Sequence, residues 1–184
     1  MELHETNLPG VWVIEPRVFE DARGFFMETY QQNRYVEAGI TPRFVQDNYS
    51  HSQRGTLRGL HFQIQHPQAK LVQVLRGEIF DVAVDLRRDS PHFGRWTGVT
   101  LSETNHRQIY VPRGFAHGFC VLSNVAEVFY KCADLYDPEH ERTLLWNDPD
   151  VGVEWPLETD PLVSEKDSRG IRFAELECYD ASPK

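Results

Sequence analysis

The chain has 184 residues, 40% of them apolar and 12% aromatic, enough to bury a core without disulfide or metal staples. Its net charge of −9 argues against a nucleic-acid backbone or an anionic membrane as the main partner, although a local basic pocket could still take a small anion. Cys120, Cys132 and Cys178 form no CxxC pair, no apolar run reaches the length of a membrane span, and the start MELHETNLPG lacks a signal-peptide core; a soluble cytoplasmic protein is expected.

Residues 11–14 and 17–19 are short β-prone runs split by Pro16. The segment DARG at 21–24 reads as a turn, with Gly24 at positive φ. Residues 25–30 resume a strand, which places Arg23 just before it and Glu28 inside it. Residues 31–38 read as a short helix stopped by Gly39. Residues 44–49 and 56–64 are strands, and the polar stretch between them, ending at Arg54 and Gly55, is a hairpin or loop.

Residues 71–75 and 79–86 flank a tight turn at Arg76, Gly77 and Glu78. In the second run Phe80, Val82, Val84 and Leu86 share one face, and Asp81 and Asp85 share the other. Strands at 95–101, 107–111, 115–122 and 125–133 follow, with Pro112, Gly114 and Asn124 between them. From about 134 to 184 the chain reads as loops plus a short helical piece near 163–167, packing on the sheet. Short, evenly spaced strands with Gly and Pro turns predict an all-β sandwich or barrel in a single domain, with few peripheral helices. A jelly roll encloses its site between its sheets, so inward-facing polar residues are the ones to examine.

The stretch QDNYSHSQRGTLRGLHFQ, residues 46–63, is the densest in such groups. His61 lies between large apolar neighbours, three residues after Arg58, where an imidazole can titrate near neutral pH beside an anion. Lys70 opens the next strand, His117 is again flanked by aromatics, and Tyr130 shares parity with Ala126 and Val128. Singly, each has an ordinary structural explanation: a core histidine, a solvated lysine, a locally bonded tyrosine. Together, on neighbouring strands, they suggest a site. Arg58 and His61 have opposite parity, so a shared ligand requires an irregularity, and Gly59 permits a bulge there. A metal is weakly supported: the chain has no His-x-His pair, and the spacing of His61 and His66 puts them on opposite faces of a strand.

The blocks LPGVWVIEPRVFEDARGFFMETY, VQDNYSHS, TLRGLHFQ, QAKLVQVLRGEIFDVAVDLRRDSPHFG, VPRGFAHGF, VFYKCADLYDPEHE, LLWNDPDVGVEWP and SEKD occur in order from about residue 8 to 170. This run resembles the dTDP-4-dehydrorhamnose 3,5-epimerase family, metal-free jelly rolls of the cupin-like, double-stranded β-helix kind. The resemblance implies an isomerase of rhamnose biosynthesis without cofactor, acting on a dTDP-linked 4-keto-6-deoxy sugar. It implies that His61 is the base, Asp167 the carboxylate that orients it, Tyr130 the acid and Lys70 the oxyanion partner. It further implies that Arg23, Glu28, Gln46, Asn48, Arg58, His117, Glu141 and Lys166 line the nucleotide and sugar sites, and that Tyr136 stacks on the base. Arg23 and Glu28 are then expected to reach a second subunit through an exchanged N-terminal strand, which makes the protein a homodimer. Leu135 departs from the family, which often carries tyrosine there, and the tail from 171 to 184 matches nothing. A single-carbon epimerase, a non-catalytic sugar-nucleotide binding module and a metal-dependent oxygenase are the alternative readings.

Overall fold

Two antiparallel sheets face each other, and the alternating apolar residues of their strands fill the space between them. The structure is a computed structural model that describes residues 1–183. The first sheet runs β1 (Glu2–Glu5), β2 (Trp12–Glu15), β10 (Gln108–Val111), β7 (Lys70–Arg76), β12 (Val125–Cys132), β5 (Gln46–Gln53). The second runs β13 (Glu141–Thr143), β6 (Leu57–Gln63), β11 (Phe115–Val121), β8 (Glu78–Asp85), β9 (Trp96–Ser102). A separate hairpin pairs β3 (Val18–Asp21) with β4 (Gly24–Met27). This is the jelly-roll architecture expected. Its two short α-helices are α1 (Gln32–Glu37) and α2 (Glu165–Ser168).

Val72, Val74, Ile79, Ala83, Leu101, Phe119 and Val128 form the layer between the sheets. Ile14, Leu71 and Tyr110 on the back of the first sheet pack under Tyr35 of α1 and Ile40. Leu60, Phe62, Val82 and Val84 on the back of the second are covered by Leu144, Val151, Leu176 and Tyr179. The tail is therefore part of the fold: the Tyr179 hydroxyl donates to the Gln63 carbonyl, and Tyr179 pairs with Arg87.

Several boundaries differ from expectation. The strand expected over 25–30 ends at Met27. Beyond it the Gln31 side chain accepts from the Arg34 amide to cap α1, and the Thr29 carbonyl accepts from Tyr35 and Gln108. Glu28 thus lies outside β4. The stretch expected to loop after residue 49 stays in β5 as far as Gln53, because each residue from Gln46 to Gln53 pairs with β12. The face of β8 that carries Asp81 and Asp85 points between the sheets, and both are fully buried. The apolar face with Phe80, Val82 and Val84 lies instead under the C-terminal segment.

The irregularity expected at Gly59 is present. His61 pairs with His117 and Arg58 with Phe119, so β6 carries one more residue than β11 over this span. Gly59 has φ of 123°, open to glycine alone at low cost. The strands touch closely here: a Cβ on Gly118 would lie 2.5 Å from the Arg58 carbonyl oxygen and 3.0 Å from the Gly59 Cα. Gly118→Ala should therefore force the strands apart and cost about 1–3 kcal/mol of stability. Urea unfolding of the variant checks this, and an unchanged midpoint would mean the contact is not tight.

Candidate active site

A cleft of about 490 Å³ opens between β5, the edge of the first sheet, and β6 of the second. It adjoins a lobe of about 210 Å³, and His61, Lys70 and Tyr130 line both. His61 projects from the second sheet, whereas Lys70 and Tyr130 project from the first. The extra residue at Gly59 brings Arg58 and His61 to the same cleft despite their opposite parity.

Asp167 of α2 accepts a hydrogen bond from His61 Nε2 at 2.5 Å. The Ser164 hydroxyl caps the helix by accepting from the Asp167 amide at 3.1 Å, and the Leu57 amide bonds the Leu162 carbonyl to hold the segment against β6. Burial alone would raise the Asp167 carboxyl. The hydrogen bond and charge of His61, with further bonds from Ser164 and the Gly59 backbone, outweigh it and hold the group below the usual carboxylate range. An ionised carboxylate only accepts, so Nε2 carries the proton and Nδ1 of the neutral ring keeps its lone pair. In that tautomer Nδ1 is the ring atom able to accept a proton.

His117 Nε2 lies 2.9 and 3.0 Å from the two oxygens of Asp81. Burial raises the Asp81 carboxyl, opposed by His117 and Lys70. Burial lowers the Lys70 ammonium, opposed by Cys132, Glu141 and Asp81. A cation and an anion inside the sandwich thus compensate one another. Sequence reasoning missed Asp81. Its signal was present as strand parity, but choosing the inward face required knowing that the tail covers the other one. Burial, helped by Cys132 and Glu141, raises the Tyr130 phenol, and Arg58 opposes the rise. Tyr130 therefore stays protonated at neutral pH and has a proton to give.

At the smaller lobe, Glu141 accepts from the Tyr136 hydroxyl at 2.9 Å and pairs with Lys166 at 2.5 Å. Gln46 accepts from the Tyr136 amide and donates to Asn48. Eleven of the sequence-selected residues, His61, Lys70, Tyr130, Asp167, Arg58, His117, Gln46, Asn48, Tyr136, Glu141 and Lys166, line one or the other lobe. Arg23 and Glu28 do not. Arg23 lies on the exposed hairpin paired with Asp21, and Glu28 pairs with Arg34. The three-ligand cluster found among the described residues is Glu2, His4 and Glu15, at the β1–β2 edge of the first sheet, where Arg107 already bonds Glu15.

An imidazole on one wall, a phenol on the other and a half-buried ammonium in the same cleft are groups that can carry proton transfer, set within a jelly roll. The family model for dTDP-4-dehydrorhamnose 3,5-epimerase matches residues 5–175. A Pseudomonas aeruginosa enzyme of that name is 56% identical over 97% of this chain and 99% of its own length. A Neisseria gonorrhoeae relative is 53% identical, and this chain spans 54% of it. The crystal structure of the Legionella pneumophila dTDP-6-deoxy-D-glucose-3,5-epimerase with dTDP-4-keto-L-rhamnose is 50% identical, has a TM-score of 0.94 and covers 96% of this chain and 94% of its own. The chain belongs to the dTDP-4-dehydrorhamnose 3,5-epimerase family.

The Asp167 carboxyl lies lower in the folded than in the unfolded protein. Its contribution to stability is therefore full at neutral pH and is lost as pH falls from the unfolded value of about 3.9 through the folded one. Asp167→Asn should be less stable than the wild type at pH 7, with the gap closing towards pH 3. Urea unfolding at both pH values reads it, and a gap independent of pH would contradict the pairing.

Proposed function

We propose that the protein inverts C3 and C5 of a dTDP-4-keto-6-deoxyhexose, converting dTDP-4-dehydro-6-deoxyglucose to dTDP-4-dehydro-L-rhamnose without a cofactor. The observation that carries this reading is that His61 and Tyr130 stand on opposite sheets of one cleft. The ketone at C4 acidifies the hydrogens on C3 and C5. His61 Nδ1 takes one of them, and Asp167 stabilises the imidazolium that results. The electron pair moves onto the ketone oxygen, where Lys70 opposes the developing charge. Tyr130 returns a proton to the carbon from the opposite face. Positioned proton transfer of this kind is worth about 10²–10⁴-fold in rate.

Arg58, with its planar fork, suits the diphosphate. Gln46, Asn48, Tyr136 and Glu141 surround the smaller lobe, which suits the nucleoside, with Tyr136 stacking on thymine and Lys166 paired with Glu141 from the larger cleft. His117 stands beside the sugar, oriented by Asp81. A cytoplasmic location agrees with three buried free thiols, and no described helix is long and apolar enough to cross a membrane.

Heavy water tests the reaction. Turnover of the 4-keto-6-deoxyglucose nucleotide should place deuterium at both C3 and C5, and His61→Ala should lose exchange at both by at least about 10²-fold. Label at one carbon would make the protein a single-carbon epimerase; tight binding with no label would make it a binding module.

The homodimer with an exchanged N-terminal strand belongs to the same reading. Phe19, Phe25 and Phe26 are exposed on the β3–β4 hairpin, which joins neither sheet, and an isolated two-stranded hairpin is marginal in water. Carried to a second copy, the hairpin would deliver Arg23 and Glu28 to that copy's cleft. Mixing inactive Arg23→Ala and His61→Ala chains under subunit exchange should restore about one quarter of wild-type activity, because half the dimers are mixed and one of their two sites is intact. No restoration would place Arg23 at its own chain's site.

A further inference from the structure

Tyr136 lies in the loop between β12 and β13, outside both sheets. Leu135 and Tyr136 are 62% and 53% exposed, so side-chain burial does little to fix this loop. Glutamine side chains do so instead. Gln68 Nε2 donates to the Asp134 carbonyl at 2.8 Å, and Gln63 Nε2 to the Leu135 carbonyl at 3.2 Å. The Tyr136 amide donates to Gln46 Oε1 and the Asp137 amide to Gln63 Oε1, each at 2.9 Å. Four consecutive residues thus have a backbone group held by a glutamine, and Gln63 brackets Tyr136 from both sides. Gln63 Nε2 also donates to the His66 carbonyl at 2.8 Å, which ties the turn carrying Gln68 to the same amide. Gln63 is 3% exposed at the end of β6, and both of its amide hydrogens go to backbone carbonyls. Its donor capacity is used within the protein, and what it fixes is the loop. At the far end of the ring, the Tyr136 hydroxyl donates to Glu141.

We propose that Gln63, seconded by Gln68, is a positioning residue for Tyr136: it holds the loop so that the ring is fixed at the smaller lobe before a base arrives. This rests on the reading of that lobe as the nucleoside site, with Tyr136 the stacking ring. A ligand that meets a ring already ordered loses less freedom on binding, so releasing the loop should weaken affinity. The proton-transfer groups are held by other contacts, so chemistry after binding should be spared.

The test is a double-mutant cycle read by calorimetric titration of dTDP, with inorganic pyrophosphate as the control ligand. Gln63→Met keeps the length of the side chain and removes the amide. It should bind dTDP about 10-fold more weakly and pyrophosphate equally well. It should raise KM for the sugar nucleotide with kcat little changed. In a Tyr136→Ala background the same substitution should add no further loss, because the residue it positions is gone. Gln68→Ala, which removes one bond at the start of the loop, should weaken dTDP about 3-fold and likewise add nothing to Tyr136→Ala. It carries the test should Gln63→Met not fold. Unchanged dTDP affinity, an equal loss for pyrophosphate, a fall in kcat alone, or losses that multiply with that of Tyr136→Ala would overturn the positioning role. If Tyr136→Ala by itself leaves dTDP affinity unchanged, the stacking reading fails and the proposal falls with it.

Discussion

The close approach of β6 and β11 at Gly59 and Gly118 decides where the polar groups of the cleft lie. With no side chain at either position, the backbones come within van der Waals contact, and β6 can take up one extra residue. A regular strand would send Arg58 and His61 to opposite faces, one into the sandwich and one under the C-terminal segment. The extra residue brings both to one cavity, while Leu60 and Phe62 still pack outward beneath Leu144 and Tyr179. The Gly59 amide also helps hold the Asp167 carboxylate. One backbone irregularity thus joins Arg58, His61 and the carboxylate of Asp167.

The cavity is polar in a place where a sandwich is normally apolar. Lys70, Asp81 and His117 sit between sheets otherwise lined by valine, isoleucine and phenylalanine. Each is unfavourable there alone, and mutual attraction offsets the burial. The apolar layer surrounding them keeps the local dielectric low, which strengthens whatever charge stabilisation they offer a ligand.

Much of this was legible in the residues. Alternation and turn chemistry predict most of the strands, and the parity conflict between Arg58 and His61 points to Gly59. Tyr130, Lys70 and His117 stand out as polar groups on apolar strands. Three features were not legible for physical reasons. Asp81 was ambiguous because strand parity does not say which face is inward; residues 144–179, distant in sequence, decide that. The polar run after Tyr49 resembled a loop, yet it is a strand whose inward face serves a site rather than a core. Asp167 reaches His61 through a four-residue helix seated by long-range bonds to β6, so its role came only from family resemblance.

The account turns on two rings, one from each sheet, addressing one sugar from opposite sides. A crystal structure with a dTDP-hexose that lacks the 4-keto group tests this most directly, because such a ligand can bind but cannot react. The account predicts the hexose ring between β6 and β12, with His61 Nδ1 and Tyr130 Oη on opposite faces of the ring and the diphosphate against Arg58. A hexose held outside the cleft, or both groups on the same face of the ring, would contradict it.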